Sequence, residues 1–219
     1  MEKNKTKRQP LTANRYSLTI GWLYPDLMNT YGDRGNIIVL RKRAEWRGID
    51  VEIKKISVGD SQLSIVNCQL LFMGGAQDTQ QEIVNEDLQD KKGKVLIEKI
   101  EDGTPGLYIC GAYQFLGKYY KTADGKKLPG LGVFPLHTEN PGESARRLIG
   151  NITAVSSWGL GVSELTNSQE PSAKSQLVGF ENHGGRTYLE DPKFALATVE
   201  KGYGNNGEDG TEGIAYKNS

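Results

Sequence analysis

Residues 106–117 read GLYICGAYQFLG, a short apolar run that ends in Cys110 and leads directly into a predicted helix. The run from Gly106 to Cys110 is typical of a buried strand, and Ala112 to Tyr120 has a helical pattern. A sharp turn from strand to helix places its residues at the carboxyl edge of a parallel sheet, where open α/β sheets bind ligands. The stretch therefore predicts an α/β fold with a functional site at Cys110.

The same alternation of strand and helix precedes this stretch. Asp33 or Asn36 is expected to cap the first helix, and Gly48 to end it. Strands joined by helical crossovers and short loops build a parallel sheet. We therefore predict a doubly wound, mostly parallel sheet flanked by helices. The predicted strands are 16–23, 50–56 and 69–73, and the predicted helices are about 33–47 and 79–101, with a break near 92–93.

After Lys121 the sequence changes to short β-like runs separated by turn signals such as Asp124-Gly125. This half is expected to be rich in β-structure and to extend the parallel sheet with antiparallel strands. Residues 1–15 are expected to form a disordered tail, and 16–219 a single domain. The runs are 131–136, 147–155, 177–182 and 194–199.

Composition excludes several classes of protein. The 219 residues include 27 Lys+Arg and 27 Asp+Glu, and this zero net charge argues against a dedicated nucleic-acid binder. No apolar run reaches the ~18 residues needed to span a bilayer, and two cysteines make no disulfide framework. We expect a reduced, cytoplasmic, soluble protein.

Cys110 is the first candidate for chemistry. A lone cysteine at the end of an apolar run is most often a small buried hydrophobic residue. Here, however, a helix N-terminus follows, which would favour the thiolate, and the N–H of Gly111 is placed to stabilise an oxyanion. The loop Gly74-Gly75, after another predicted strand, could supply a second donor at the same edge. Cys68 has no such setting and is interpreted as structural.

A cysteine nucleophile usually needs a base, most often histidine. His183 lies in GFENHGGRTY with Glu181 and Arg186, and a structural role is slightly favoured over a catalytic one. His137 has no accompanying polar pattern and is interpreted as structural.

Four motifs in order resemble one family, the class I glutamine amidotransferases of the cobyric acid synthase type. Within it, the sequence is most similar to the glutaminase subunits of lipid II isoglutaminyl synthase. The segment 27–44 also resembles those subunits. The resemblance spans about 18–218. The motifs are MGGAQD at 73–78, GLYICGAYQFLG at 106–117, GFENHGGRTY at 179–188 and EGIAYKN at 212–218.

The resemblance implies hydrolysis of glutamine to glutamate and ammonia, with Cys110 as the nucleophile. It assigns the oxyanion donors to the backbone of Gly75 and Gly111, and substrate contacts to Gln114 and Arg147. An arginine suits the glutamine α-carboxylate because its guanidinium binds in a bidentate manner. The implied partner is an ATP-dependent, Mur-ligase-like (MurT-like) subunit that amidates D-glutamate of lipid II to D-isoglutamine. No cofactor and no metal are expected.

The resemblance also implies a catalytic histidine in a segment like GTYLHG, after the YKN at 216–218. The sequence given ends at Ser219, so we expect a chain truncated before that histidine. Such a chain is a fragment, or a variant without glutaminase activity, or one that recruits His183 or a partner residue as base. The alternative functions are a cobyric-acid-type amidotransferase, a non-catalytic binding subunit and a cysteine hydrolase of similar fold.

Overall fold

The computed structural model describes residues 16–76, 78–156 and 175–219. A four-stranded parallel sheet, in the order β2-β1-β3-β4, forms the first half of the chain. The predicted disorder of 1–15 lies outside the described residues. The strands are β1 (Ser17–Leu23), β2 (Asp50–Ile56), β3 (Leu70–Met73) and β4 (Gly106–Tyr108).

Helices cover both faces of this sheet. Ile20 and Trp22 of β1 pack with Ile37 of α1 on one face. Leu23 of β1 belongs to a larger cluster on the opposite face, together with residues of the other helices, such as Phe115. Alternate residues of one strand thus enter different cores, which confirms the doubly wound arrangement. The helices are α1 (Arg34–Glu45), α2 (Leu63–Val66), α3 (Asp78–Asp87), α4 (Gly93–Glu101) and α5 (Gly111–Leu116).

The helix boundaries agree in part with those predicted. A π-helical turn, Leu88–Lys92, separates α3 from α4 at the predicted break. Asp33 occupies the N-cap position of α1, one of the two predicted positions, but its side chain makes no capping hydrogen bond. The side chain of Asn29 instead accepts the hydrogen bond from the N–H of Arg34, at 2.8 Å. The side chain of Asp33 is engaged elsewhere, as described below.

The predicted helix 112–120 is shorter than expected. It ends at Leu116, and Tyr119 already belongs to the next strand. Gly117 marks the change because a Cβ on it would approach the side chain of Leu136 to 2.3 Å. The chain leaves the helix in an extended conformation at this glycine.

The second half is rich in β-structure, as predicted, but the expected antiparallel extension of the parallel sheet is wrong. The strands form two further sheets, in the orders β10-β7-β5-β6 and β12-β11-β8-β9. The short turn at Asp124-Gly125 joins β5 and β6 as an antiparallel pair. The strands are β5 (Tyr119–Lys121), β6 (Lys127–Pro129), β7 (Leu136–Glu139), β8 (Leu148–Ser156), β9 (Gln176–His183), β10 (Arg186–Leu189), β11 (Ala197–Lys201) and β12 (Thr211–Glu212).

Of the four predicted β-runs, one lies mostly outside strands and another lies half outside. Only Leu136 of the run 131–136 enters one. In the run 194–199, β11 begins at Ala197, after a 3₁₀ turn over Pro192–Phe194. Within the described ranges, no helix combines the length and the apolar character that crossing a membrane requires.

Candidate active site

Cys110 lies at the predicted turn from strand to helix. Its φ of 54° and ψ of −115° are a strained combination for a residue with a side chain. The N–H of Ile109 still bonds to the carbonyl of Met73, at 3.0 Å, as a continuation of the sheet, and Gly111 already begins α5. The chain therefore reverses within one residue and places the thiol at the carboxyl edge of the sheet.

The surroundings of the thiol favour its protonated form. Burial raises the pKa of Cys110 above its ordinary value, and the Asp33 carboxylate adds to the increase. The backbone N–H of Gly111 and the charge of Arg147 act in the opposite direction without cancelling it. Desolvation thus outweighs the favourable contacts with Gly111 and Arg147.

The Gly74-Gly75 loop lies beside Cys110, as predicted from the topology. A Cβ on Gly75 would lie 3.0 Å from the Cβ of Cys110 and 3.5 Å from its Sγ. The N–H of Gly75 nevertheless donates to Oδ2 of Asp33, at 2.8 Å. The carbonyl of Gly75 accepts from the N–H of Thr30, at 3.1 Å. Both backbone groups of Gly75 are thus held by the connection between β1 and α1.

Asp33 is a site residue that the sequence reasoning missed, because it was assigned to a helix cap. Its side chain is buried, and a Cβ on Gly74 would approach the carboxyl group to 2.7 Å. Burial raises the pKa of Asp33, and the hydrogen bond from Gly75 offsets only part of that increase. The available signal was its place in YGDRGN, within the segment that already resembled the family.

Arg147 precedes β8 and is held by Asn182 of the neighbouring strand β9. Its Nε donates to Oδ1 of Asn182 and its Nη2 to the carbonyl of the same residue, both at 3.1 Å. These bonds use one edge of the guanidinium and leave the Nη1–Nη2 edge for a bidentate contact with a carboxylate. Arg146 points elsewhere, because its Nη2 donates to the hydroxyl of Tyr203, at 3.2 Å.

Gln114 is buried on α5, four residues after Cys110. Its Nε2 lies 3.2 Å from the position that a Cβ on Gly185 would take. Gly184 similarly faces Nη1 of Arg147, at 3.2 Å from such a Cβ. The Gly184-Gly185 turn therefore adjoins both predicted substrate-binding residues, and side chains in this turn would crowd them.

The contacts of both histidines are of the structural kind. Nδ1 of His183 lies 2.8 Å from the carbonyl of Gly185, and Nε2 lies 3.8 Å from Oε2 of Glu181. Glu181 itself accepts hydrogen bonds from two backbone N–H groups. His137 stacks between Tyr119 and Tyr188, with ring centroids 5.0 and 5.5 Å apart.

Gln81 on α3 is a second residue that the sequence reasoning missed. Its side chain is buried and lies against Gly111, because a Cβ on Gly111 would come within 2.7 Å of Nε2 of Gln81. A glutamine on a polar helical segment carries no sequence signal for such a position.

Comparison with known proteins places this geometry in a family. Residues 19–219 match the CobB/CobQ-like glutamine amidotransferase domain. The chain is 42% identical over 203 residues to the lipid II isoglutaminyl synthase (glutamine-hydrolyzing) subunit GatD of Staphylococcus aureus, covering 93% of this chain and 74% of that protein. Identity to the subunit GatD of Streptococcus pneumoniae is 39%, over 93% of this chain and 71% of that protein.

A more distant similarity is to a probable cobyric acid synthase of Methanopyrus kandleri. The two are 30% identical over 118 residues, which cover 51% of this chain and 21% of that protein. The domain match and the two GatD subunits extend over nearly all described residues, including the turn at Cys110. The chain therefore belongs to the CobB/CobQ-like glutamine amidotransferase family.

Proposed function

We propose that the chain is the glutaminase subunit of an enzyme that amidates a peptidoglycan precursor. It hydrolyses glutamine and supplies ammonia to an ATP-dependent, Mur-ligase-like subunit, which converts D-glutamate of lipid II to D-isoglutamine. The observation that carries the proposal is the strained turn at Cys110, in a chain 42% identical to a subunit of a glutamine-hydrolysing lipid II isoglutaminyl synthase.

In the proposed reaction, Sγ of Cys110 attacks the side-chain amide carbon of glutamine. As the C–S bond forms, the carbonyl electron pair moves to oxygen, and backbone N–H groups stabilise the oxyanion. Collapse of this intermediate breaks the C–N bond, and the nitrogen takes a proton and leaves as ammonia. Water then hydrolyses the thioester to glutamate and regenerates the thiol. One such donor is the backbone N–H of Gly111, which is hydrogen-bonded to the sulfur of Cys110.

The proton for the leaving ammonia requires a general acid, which is typically worth ~10²–10⁴ in rate. Among the described residues, neither histidine is hydrogen-bonded to Cys110. The bonds of His183 to Gly185 and its approach to Glu181 favour a structural role. We therefore infer that another group carries this proton.

The partner and the compartment are also part of the proposal. Both GatD relatives are named as subunits of a glutamine-hydrolysing lipid II isoglutaminyl synthase, which supports a second, ligase subunit for this chain. We infer a heterodimer that works in the cytoplasm, where ATP and glutamine are supplied together.

The proposal is tested with the purified chain and its Mur-ligase-like partner. The complex is incubated with ATP, lipid II and either glutamine or an ammonium salt, and both released glutamate and amidated lipid II are measured. We expect amidation and glutamate release with glutamine. Amidation with the ammonium salt but not with glutamine, and no release of glutamate, would identify the chain as a non-catalytic binding subunit instead.

The similarity to a cobyric acid synthase supports a second candidate function, that of an amidotransferase acting on a corrinoid carboxylate. The same assay with a corrinoid acid in place of lipid II distinguishes the two. Because the corresponding match covers only half of this chain, we expect activity with lipid II.

Arg147→Lys is expected to weaken glutamine binding by about one to two decades. Lysine keeps the charge but loses the paired N–H donors, and one charge-assisted contact is worth roughly 1.5–3 kcal/mol. Titration calorimetry with glutamine measures the affinity. Arg146→Lys is the matched control, because Arg146 bonds to Tyr203 and should leave affinity unchanged. Equal losses from the two substitutions would contradict the role assigned to Arg147.

A further inference from the structure

One side of α1 exposes large apolar side chains to solvent. Ile37 and Ala44 are the buried residues of this helix, so the opposite side points away from the sheet. On that side Ile38 is 46% exposed, Val39 is 53% exposed and Trp46, at the C-cap, is 78% exposed. Residues seven or eight positions apart share one side of a helix, so these three form a continuous stripe. Exposed apolar residues that are grouped in this way indicate an interaction surface.

Cations flank this stripe on both sides. Residues 34–47 contain five Lys and Arg residues and one acidic residue, in a chain whose net charge is zero, and all five cations are exposed. An α-helix turns by about 100° per residue, so Arg34 and Arg41 lie along one border of the stripe, Arg43 lies along the other and Lys42 lies within it. The stripe and these cations together are the outer face of α1: Arg34, Ile38, Val39, Arg41, Lys42, Arg43 and Trp46.

Carboxylates of α1 and of the adjacent strand do not neutralise this face. Glu45, the acidic residue of the helix, contacts two of the five cations at once, at 2.8 and 3.4 Å. On β2, Val51 and Ile53 pack in the same cluster as the buried side of α1. Asp50 and Glu52 alternate with them and therefore point to the other face of the sheet. The outer face of α1 thus keeps a net positive charge.

We propose that the outer face of α1 docks onto the surface of a bilayer that contains anionic phospholipids. Such a surface offers phosphate groups to the Lys and Arg side chains, and a boundary region that accepts Ile38, Val39 and Trp46. Tryptophan suits this boundary because its ring is apolar and its N–H is polar. With 12 residues, α1 is too short to cross a bilayer, so it lies in the plane of the surface.

Other occupants complement only part of this face. A nucleic acid duplex offers phosphates but provides no apolar environment for the side chains of Ile38 and Val39. A second copy of the chain would bring like charges together, and these repel. Docking through α1 also leaves Cys110 accessible, because the helix covers one face of the sheet and the thiol lies at its carboxyl edge. The inference goes beyond the proposed function and does not depend on it.

Vesicle binding tests the proposal. The full chain is mixed with vesicles of phosphatidylcholine, or of phosphatidylcholine and phosphatidylglycerol in equal amounts, and the bound fraction is measured by cosedimentation at increasing salt concentration. We expect binding to the anionic vesicles that weakens as salt is added, and much weaker binding to phosphatidylcholine. No binding to the anionic vesicles, or equal binding to both kinds, would overturn the proposal. The vesicles contain no lipid II, so neither result depends on the proposed function.

Removal of the charges assigns the binding to α1. The triple variant Arg41→Gln, Lys42→Gln, Arg43→Gln should bind anionic vesicles about 100-fold more weakly, because three cations close to an anionic surface are lost. Glutamine is a good helix former, so the helix should persist, and circular dichroism checks this. Unchanged binding by the folded variant would contradict the assignment to this face.

The matched control removes the same charge from a different surface. Lys118, Lys121 and Lys126 each pair with a glutamate, and their side chains are about half exposed. Replacement of all three by glutamine should leave vesicle binding within about threefold, because charges more than a Debye length from the bilayer are screened. A loss equal to that of the α1 variant would show attraction by overall charge only, and would overturn the proposal.

Trp46 reports whether the apolar stripe enters the bilayer. Tryptophan fluorescence of the parent chain should shift to shorter wavelength when anionic vesicles are added, because the indole ring leaves water. Trp46→Phe should lose this shift and still cosediment with the vesicles. A shift of the same size in Trp46→Phe would show that Trp46 does not enter the bilayer, and would overturn the proposal.

Two further measurements separate the other occupants. Binding to duplex DNA that is as tight as binding to anionic vesicles, measured by anisotropy at the same salt concentration, would assign the outer face of α1 to nucleic acid. The complex with the Mur-ligase-like partner should bind anionic vesicles as the chain alone does. Loss of vesicle binding in that complex would assign this face to a protein interface. Either of these two assignments would overturn the proposal.

Discussion

Cys110→Ala is expected to lower glutamine hydrolysis by about 10⁴-fold or more, whereas Cys68→Ala leaves it within about twofold. The large effect follows because no other group in the proposed mechanism forms the covalent intermediate. Cys68 is 1% exposed and donates to the carbonyl of Ser64, at 3.3 Å. Burial raises the pKa of its thiol, so it is inert as well as remote from the strand-to-helix turn. Release of glutamate by the complex with the partner measures the effect.

Covalent labelling checks the same assignment without turnover. The glutamine-analogue electrophile diazo-oxo-norleucine should label Cys110, and peptide mass spectrometry should identify the site. Because burial raises the pKa of Cys110, labelling should accelerate as pH rises toward that pKa and the reactive thiolate forms. Preferential labelling of Cys68 in the folded protein would refute the assignment.

Asp87→Ala is expected to lower the free energy of unfolding by about 3–5 kcal/mol, since it leaves the Lys92 ammonium buried without its counter-ion. Only 2% of the Lys92 side chain is exposed. Its Nζ lies 2.6 Å from Oδ2 of Asp87 and 2.8 Å from the carbonyl of Ser57. The hydroxyl of Tyr24 donates to the same oxygen of Asp87, at 2.6 Å. Chemical denaturation of the full chain measures the loss.

Two control variants test whether the loss of stability in Asp87→Ala comes from the unpaired buried charge. Lys92→Met removes the charge together with its desolvation cost and should be far less damaging than Asp87→Ala. Glu82→Ala breaks an ion pair with Lys126 whose side chains are about half exposed, at 48% and 53%, and should cost no more than about 1 kcal/mol. A similar small loss from Asp87→Ala would show that the buried pair contributes little.

The pH dependence of stability has a definite sign. Burial raises the pKa of Asp87, but hydrogen bonds from Lys92, Tyr24 and the backbone of Gly59 outweigh burial, so the pKa lies below its ordinary value. A carboxyl with a lowered native pKa contributes stability that is fully present above the ordinary carboxyl pKa and is lost as pH falls through the native pKa. Below the ordinary carboxyl pKa, the free energy of unfolding should therefore fall less steeply with decreasing pH in Asp87→Ala than in the parent chain.

The strands and the turn at Cys110 could be predicted because their signals are local. The predicted strand 50–56 matches β2 (Asp50–Ile56), and the helical break near 92–93 coincides with the end of the π-helical turn at Lys92. An apolar run before a glycine and a helical pattern is sufficient to predict the turn at Cys110. These features depend on neighbours in sequence, so the sequence itself carries their physical cause.

Residue roles at the site depended on the resemblance and on distant contacts. The sequence could not assign Asp33 to Gly75, since an aspartate before a helix is more often a cap and the hydrogen-bonded atoms are 42 residues apart. The separation of the later strands into two further sheets was equally hidden, because short β-runs specify a strand but not its partner.

The sequence by itself determined the doubly wound sheet, the turn from strand to helix at Cys110, and the family. Only the tertiary structure decided that the Gly75 N–H is taken by Asp33, that Asn182 orients Arg147, and that the Gln81 side chain packs against Gly111. Hydrophobic periodicity shows which side of a helix or strand is apolar. It therefore predicts the type of each element and the side that is buried. Polar contacts between elements depend on directions and distances of a few ångströms, which arise only when the whole chain has packed.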